Sequence, residues 1–256
     1  MKPIPPWLIA DNGVRNPKRL KDGLRVLVNS EFHGDFSKKN EEGMALLLER
    51  EGVISLQTNT DNTISRKWRL NLIRLGFISE KTHTVTENGR RLINASSLPE
   101  EENCFLRALL AHQLPSSVHP FADRKTPIFS PLRMVLEIIN ELKERGEIPR
   151  ITLEELASIV ILEHDMNKIN DIVEIIHYRN LRKQAPNKRS FDIEFRKKSA
   201  ERQGTVKETT LRDYADVNMR YLKLTGLFAE DGMSLSIALH KKTLVDLILS
   251  RPFVPT

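Results

Sequence analysis

The stretch from Leu211 to Leu239 constrains the fold of this chain more than any other. Its first part repeats apolar side chains at three- and four-residue spacing, which predicts an amphipathic helix. The apolar positions are Leu211, Ala215, Met219 and Leu222. The break Thr225-Gly226 and the turn signal Asp231-Gly232 then separate two short apolar runs. This order predicts a helix, a glycine turn and a hairpin.

The opposite side of the predicted helix is charged. It carries Arg212, Asp213, Asp216, Arg220 and Lys223. A helix of this kind followed by a hairpin is typical of a winged helix, whose charged side lies in a DNA groove. A solvated helix face is the alternative. Asp216 lies four residues from two arginines, so an ion-pair ladder competes with contacts in which the aspartates accept from cytosine.

The same order of features occurs earlier in the chain. Leu72 to Ile78 aligns with Leu222 to Phe228, with the glycines in register. Each copy continues into a closing helix, with Leu92-Ile93 in the first and Leu247-Ile248 in the second. We therefore predict a mainly α fold with short β wings, in which two winged-helix (helix-turn-helix) subdomains lie in tandem over residues 1–95 and 96–256.

The first copy offers a second candidate recognition helix. Its groove-facing residues are predicted to be Asn62, Thr63, Ser65, Arg66, Lys67 and Arg69. Arginine pairs bidentately with guanine and asparagine with adenine, which makes this helix the better candidate for base contact. Charged helix faces are also often only solvated.

A basic segment follows from Tyr178 to Gln203, with nine basic and three acidic residues in a chain of net charge +6. Such a segment can follow DNA phosphates, although a solvated linker or helix has the same composition. The predicted phosphate contacts are Arg15, Lys18, Arg179, Arg182, Lys183, Lys188, Arg189, Lys197 and Lys198.

Short sequence patterns predict where several helices start. Asn16-Pro17 and Ser130-Pro131 each combine an N-cap residue with a proline in the first turn. Thr152 to Glu155 has the pattern of a capping box. Ser96 to Pro99 and His119 to Pro127 are predicted to be loops.

Catalytic and metal residues are not predicted. A nuclease of the PD-(D/E)XK type places two carboxylates and a lysine around Mg²⁺. Asp192, Glu194 and Lys197 come nearest, but Arg196 occupies the position of the lysine. Cys104 is the one cysteine, and with His112 and His119 it lacks a zinc-binding spacing.

The chain is expected to be cytoplasmic and monomeric. The single cysteine excludes an intramolecular disulfide. No apolar run is long enough to cross a bilayer, and the proline-rich start has no apolar signal core.

The ending of the second copy resembles the DNA-recognition region of AlwI-like type IIS restriction and nicking endonucleases. Further segments are similar to the family's opening, which FokI shares, and to its middle. The segments that carry the resemblance are Trp7, Arg15 to Pro17, Leu24 to Leu27, Leu109 to Pro115, Phe129 to Ile139, Arg212 to Asp216 and Arg220 to Phe228.

The resemblance implies two winged-helix subdomains that bind an asymmetric double-stranded DNA site. In the family a C-terminal, Mg²⁺-dependent cleavage domain follows through a linker. This chain reaches Thr256 where the linker would begin, so cleavage is expected from an absent domain or a partner, and Mg²⁺ only there. The alternatives are a stand-alone winged-helix transcriptional regulator without nuclease activity and an enzyme with an unrecognised centre.

Overall fold

A computed structural model describes residues 4–10, 14–32, 34–55, 63–115, 127–166, 170–204, 206–230 and 232–255. Within these residues the chain forms eleven α-helices and one antiparallel sheet, made of β1 (Arg150–Thr152) and β2 (Ser234–Ser236). The helices are α1 (Arg19–Val28), α2 (Glu41–Arg50), α3 (Thr63–Arg74), α4 (Glu87–Asn94), α5 (Leu98–Ala111), α6 (Pro131–Glu144), α7 (Leu153–Ser158), α8 (Asn170–Gln184), α9 (Lys188–Gln203), α10 (Glu208–Lys223) and α11 (Lys242–Ser250). None of the helices in this part of the chain is long and apolar enough to cross a membrane.

The chain divides into two compact units. We call Ala10–His112 the N-terminal unit, and Met1–Ile9 together with Gln113–Thr256 the C-terminal unit. The division near residue 112 differs from the predicted boundary after residue 95, because α5 packs against α4. Of the loop predicted from Ser96 to Pro99, Ser96 and Ser97 are non-helical, but α5 begins at Leu98 and includes Pro99. Pro99 lies in its first turn, where the missing N–H of proline breaks no helical hydrogen bond.

In the N-terminal unit, the first helices pack around Trp68, which is buried. A Cβ atom added to Gly23 of α1 would lie 2.2 Å from the Trp68 ring, so only glycine allows this close packing. Leu20, Leu24 and Leu27 form a buried stripe on α1. Helix α1 starts two residues after Pro17, and the Asn16 Oδ1 atom accepts from the backbone N–H of residue 18 at 3.3 Å.

In the C-terminal unit, α7 packs against α9, α10 and β1. Thr152 and Glu155 form the predicted capping box at its start, with N–H···O distances of 3.3 and 2.8 Å. The Ser130 hydroxyl likewise caps α6. The apolar stripe predicted for α10 is confirmed, since its four residues Leu211, Ala215, Met219 and Leu222 are all buried.

Both units contain the predicted glycine and hairpin. Gly76 and Gly226 have φ angles of 68° and 66°, a left-handed conformation that ends the preceding helix. A hairpin follows each glycine, with bridges between Ile78 and Val85 and between Phe228 and Ile237.

The hydrogen bonds of the two hairpins have the same pattern. The carbonyl one residue after each glycine accepts from the far arm at 3.0 Å in the first hairpin and 2.9 Å in the second. The N–H three residues after each glycine donates across at 2.8 Å in both. The closing helices differ, because Leu92 is buried in α4 whereas Leu247 of α11 is 51% exposed and Val245 is the buried residue. Both closing helices are nevertheless present, α4 with Leu92 and α11 with Leu247, as the sequence predicted.

The segment around Trp7 is held inside the C-terminal unit. Its backbone N–H donates to the Ile161 carbonyl at 2.9 Å, and its indole N–H donates to Val160 at 3.0 Å. Asn218 of α10, which is fully buried, accepts from the N–H of Ile9 at 2.9 Å and donates to the Trp7 carbonyl at 3.0 Å. One side-chain amide therefore joins the start of the chain to α10.

We expect Asn218→Ala to lower the free energy of unfolding by about 2–4 kcal/mol, because it leaves two buried backbone groups without partners. Urea denaturation of the whole chain measures this change. Thr209→Ala, at an exposed position on the same helix, is the matched control. Equal stability of the two variants would show that the amide does not hold the N-terminal segment.

Candidate nucleic-acid interface

Helix α10 keeps a charged, exposed side. Arg212, Asp213 and Arg220 are exposed, and Asp216 is partly exposed. The ion-pair ladder is half formed: Arg220 lies 2.9 Å from Asp216, whereas Arg212 pairs with Glu154 of α7 at 3.3 Å. Helix α10 therefore presents both cationic donors and carboxylate acceptors to solvent.

Lys223 has a different position from the one predicted. Its Nζ atom donates to the carbonyls of Gly232 at 2.9 Å and Glu230 at 3.3 Å. The last turn of α10 is thereby tied to the turn of the hairpin. Lys223 orients the hairpin relative to the helix rather than projecting from the charged side.

Helix α3 offers fewer exposed candidates than its sequence suggested. Ser65 is buried and donates to the Glu41 carbonyl at 2.6 Å. Arg69 donates to a Glu41 carboxylate oxygen at 2.9 and 2.8 Å, and its side chain is 12% exposed. Both predictions of base contact are corrected, because residues four apart share one side of a helix and this side faces α2.

Of the remaining candidates on and before α3, the structure describes the side chains of two. Arg66 is exposed and Lys67 is half-buried. Asn62 lies outside the described residues, as does the side chain of Thr63. Arg66 is therefore the candidate on the described part of α3 that is fully open to solvent.

Arg179 is a structural residue rather than a phosphate contact. Its guanidinium donates to the Glu155 carboxylate at 2.7 Å and to the carbonyls of Ile148 and Arg150 at 3.0 and 2.6 Å. Its side chain is 12% exposed. These contacts attach α8 to α7 and β1, so this sequence prediction is corrected.

Arg182 is also bound internally. It makes a bidentate pair with Asp192 of α9 at 2.7 and 2.9 Å. Tyr178 donates its hydroxyl to the same carboxylate, and its burial, with this hydrogen bond, raises the pKa of the phenol. Arg182 therefore holds α8 and α9 together.

The arrangement around Asp192 does not fit a Mg²⁺ site. Its two carboxylate oxygens are engaged by Arg182 and Tyr178, whereas Glu194 and Lys197 are exposed. Residues two apart point to different sides of a helix, so Asp192 and Glu194 cannot share a cation. Arg196 is buried between Glu154 and Glu208.

The other predicted phosphate contacts are surface residues. These are Arg15, Lys18, Lys183, Lys188, Arg189, Lys197 and Lys198, all exposed. Lys183 and Lys188 line a groove of about 610 Å³, which we call the wing groove, beside Arg150 of β1 and Met233 of the hairpin turn. Glu154 also lines it and pairs with Arg212, so the wing groove adjoins the charged side of α10.

His112 and Cys104 belong to the core of the N-terminal unit. The buried His112 ring contacts the Arg74 carbonyl through Nδ1 at 3.1 Å, and burial lowers its pKa to about 4. Burial also raises the pKa of the Cys104 thiol. His119 lies outside the described residues. Among the residues that the structure describes, no group of three His, Cys, Asp or Glu side chains is placed to hold a metal ion.

We expect Arg179→Ala to lower the free energy of unfolding by about 2–4 kcal/mol, because it leaves the buried Glu155 carboxylate without its cation. Lys183→Ala, one turn further along α8 and exposed, should change it by less than about 0.5 kcal/mol. Thermal and urea denaturation of both variants test this distinction between a structural arginine and a surface lysine. A large loss in Lys183→Ala would contradict its assignment to the surface.

Comparison with known proteins identifies a family. No individual curated protein matches the chain. The model of the AlwI restriction endonuclease family matches residues 73–256, from the last turn of α3 through the whole of α10 and its hairpin. The match includes the wing groove but not the candidate residues from Asn62 to Arg69. Because it covers most of the chain, this protein belongs to the AlwI restriction endonuclease family.

Proposed function

We propose that this chain recognises a specific, asymmetric site in double-stranded DNA for a type IIS restriction or nicking endonuclease. Membership of a restriction endonuclease family implies a DNA partner. The single observation that carries the proposal is the exposed, charged side of α10, which adjoins a hairpin and a groove lined by lysines.

Each unit is proposed to be a winged helix. In the C-terminal unit, α6, β1 and α7 precede α10, and β1 pairs with β2 of the hairpin. In the N-terminal unit, α1 and α2 precede α3, and the N–H of Phe36 donates to His83 of the hairpin at 2.9 Å. This is the order in which a winged helix presents its third helix to the major groove.

The C-terminal unit has an insertion between its second and third winged-helix helices. Helices α8 and α9 occupy this place and carry four of the seven exposed lysines in the described part of this unit. We propose that these lysines contact phosphates and give affinity without sequence preference, whereas Arg212 and Arg220 contact base edges. Asp213 and Asp216 supply acceptors that match the amino group of cytosine.

Cleavage is proposed to come from another domain or a partner. Asp192 of α9 is held in an internal ion pair with Arg182, whereas Glu194 and Lys197 are exposed. The three residues that came nearest to a nuclease motif in the sequence therefore do not surround one cation position. Mg²⁺ is accordingly expected to act only with the part that cuts. We propose that the recognition region binds DNA as a monomer in the cytoplasm.

Selection from a random duplex pool followed by sequencing should enrich one non-palindromic motif. Arg220→Ala should relax the preference at one base position and cost about 1–3 kcal/mol of discrimination there. Lys197→Ala is the matched control: it should weaken binding to all sequences equally and reduce the salt slope by about 1.

Three outcomes would contradict different parts of the proposal. Enrichment of a palindrome bound by a dimer would favour a transcriptional regulator. Site-specific nicking of plasmid DNA by the purified chain with Mg²⁺ would show that the chain contains its own cleavage centre. Failure to enrich any motif at moderate salt would refute sequence recognition itself.

A further inference from the structure

Three buried side-chain oxygens without hydrogen-bond partners line one cavity of the C-terminal unit. They are Ser158 Oγ at the end of α7, Asp171 Oδ2 in α8 and Gln203 Oε1 at the end of α9. Ser158 and Asp171 are 1% and 6% exposed. Buried polar atoms in folded proteins nearly always have partners, so three such atoms around one cavity of about 410 Å³ indicate a guest.

The chemistry of these atoms restricts the guest. The amide oxygen of Gln203 accepts hydrogen bonds and does not donate them, and the same holds for the Asp171 carboxylate once it is ionised. The guest must therefore supply donors. It must also enter an acidic environment, because Glu163 and Glu174 line the same cavity and Arg202 is the one arginine or lysine among the described residues that line it.

The described arginine that lines this cavity pairs with a carboxylate other than Asp171. Arg202 donates to Glu174 at 2.9 Å, and Glu163 accepts the backbone N–H groups of residues 164 and 165 at 2.7 and 2.9 Å. His164 contacts the Pro5 carbonyl, and burial lowers its pKa, so the ring supplies no positive charge at neutral pH. A cationic guest is favoured and an anion is excluded.

The rest of the wall is apolar. Ile4, Ile159 and Leu162 line the cavity beside the polar end. A guest with a cationic donor group and a short hydrocarbon chain matches both parts. A bare metal ion fits less well, since no three acidic or histidine side chains among the described residues are placed to bind one.

We propose that this cavity binds a small alkylammonium compound such as a diamine or polyamine. A primary ammonium group has three N–H donors, one for each of Asp171, Ser158 and Gln203. Its positive charge offsets the carboxylates, and its methylene groups pack against Ile4, Ile159 and Leu162. The site is separate from the proposed DNA-contacting residues and concerns a ligand of the folded chain itself.

The protonation of Asp171 is linked to this binding. Burial, together with the charges of Glu163 and Glu174 and a side-chain hydrogen bond with Glu163, raises its pKa to about 8. The glutamates of α6 that line the adjoining cavity, Glu137 and Glu141, add no positive charge. At neutral pH the carboxyl is protonated, and an ammonium group displaces that proton. Affinity should therefore rise as the pH rises through about 8.

Without the amine, the free energy of unfolding should depend on whether Asp171 is protonated. The folded chain holds this proton more tightly than the unfolded chain, so its contribution is present at low pH and is lost as pH rises through about 8. Asp171→Asn should remove this loss, and thermal denaturation across the range measures it. The variant is expected to fold, since it exchanges a neutral carboxyl for a neutral amide of similar size.

Calorimetric titration of the whole chain with 1,4-diaminobutane, in the absence of DNA, tests the proposal. We expect saturable binding with one site, proton release at neutral pH, and an affinity at least about tenfold lower in Asp171→Asn. Ser158→Ala should weaken binding by a smaller factor. Asp246→Asn removes an exposed carboxylate of α11 and is the control that should leave binding unchanged.

Two further titrants separate hydrogen bonding from charge. Tetramethylammonium carries the charge without N–H donors and should not bind, and Mg²⁺ should not compete with the diamine. Equal binding of tetramethylammonium, displacement by Mg²⁺, undiminished affinity in Asp171→Asn, or no saturable binding of the diamine would each overturn the proposal.

Discussion

Two adjacent glutamates at the start of α7 hold the C-terminal unit together. Glu154 pairs with Arg196 of α9 and Arg212 of α10, and Glu155 pairs with Arg179 of α8 while capping its own helix. Three helices are therefore attached to α7 through carboxylates that are themselves largely buried. Because a buried charge without a partner is costly, the packing of α8 and α9 against α7 depends on Arg179 and Arg196, whereas the half-exposed Arg212 can leave Glu154 paired with Arg196.

The basic residues of α8 and α9 that hold the fold together differ in type from the lysines at the surface of these helices. In α8 and α9, the buried or bidentate positions Arg179, Arg182 and Arg196 are arginines, whose planar guanidinium groups can satisfy several acceptors at once. The lysines of the same helices are exposed. Part of the positive charge that suggests DNA binding therefore lies in internal ion pairs. A smaller set of exposed basic side chains is left to contact phosphates.

The two hairpin-bearing units show how one backbone arrangement supports different surfaces. Both end the helix before the hairpin at a left-handed glycine and continue with the same hydrogen bonds. In α3, however, the side facing α2 takes up Ser65 and Arg69, whereas α10 keeps its charged side open. The repeated backbone therefore does not imply repeated contacts, and α10 becomes the stronger candidate for base contact.

The sequence by itself determined the features that depend on neighbouring residues. These include the apolar stripe of α10, the capping box at Thr152, the glycine that ends each helix, and the order of elements in the repeat. Each follows from spacings of a few residues, where helical periodicity and backbone conformation act locally. The start of α5 was not predicted, because Pro99 suggests a loop, although proline is tolerated in the first turn of a helix.

Only the tertiary structure decided which polar side chains are available. Arg69 pairs with Glu41 and Arg179 with Glu155 across 28 and 24 residues, and Asn218 bonds to the N-terminal segment across more than 200. The acidic cavity likewise joins α7, α8 and α9. Sequence spacing does not indicate such partners, because long-range contacts are set by how helices pack and not by the order of residues along them.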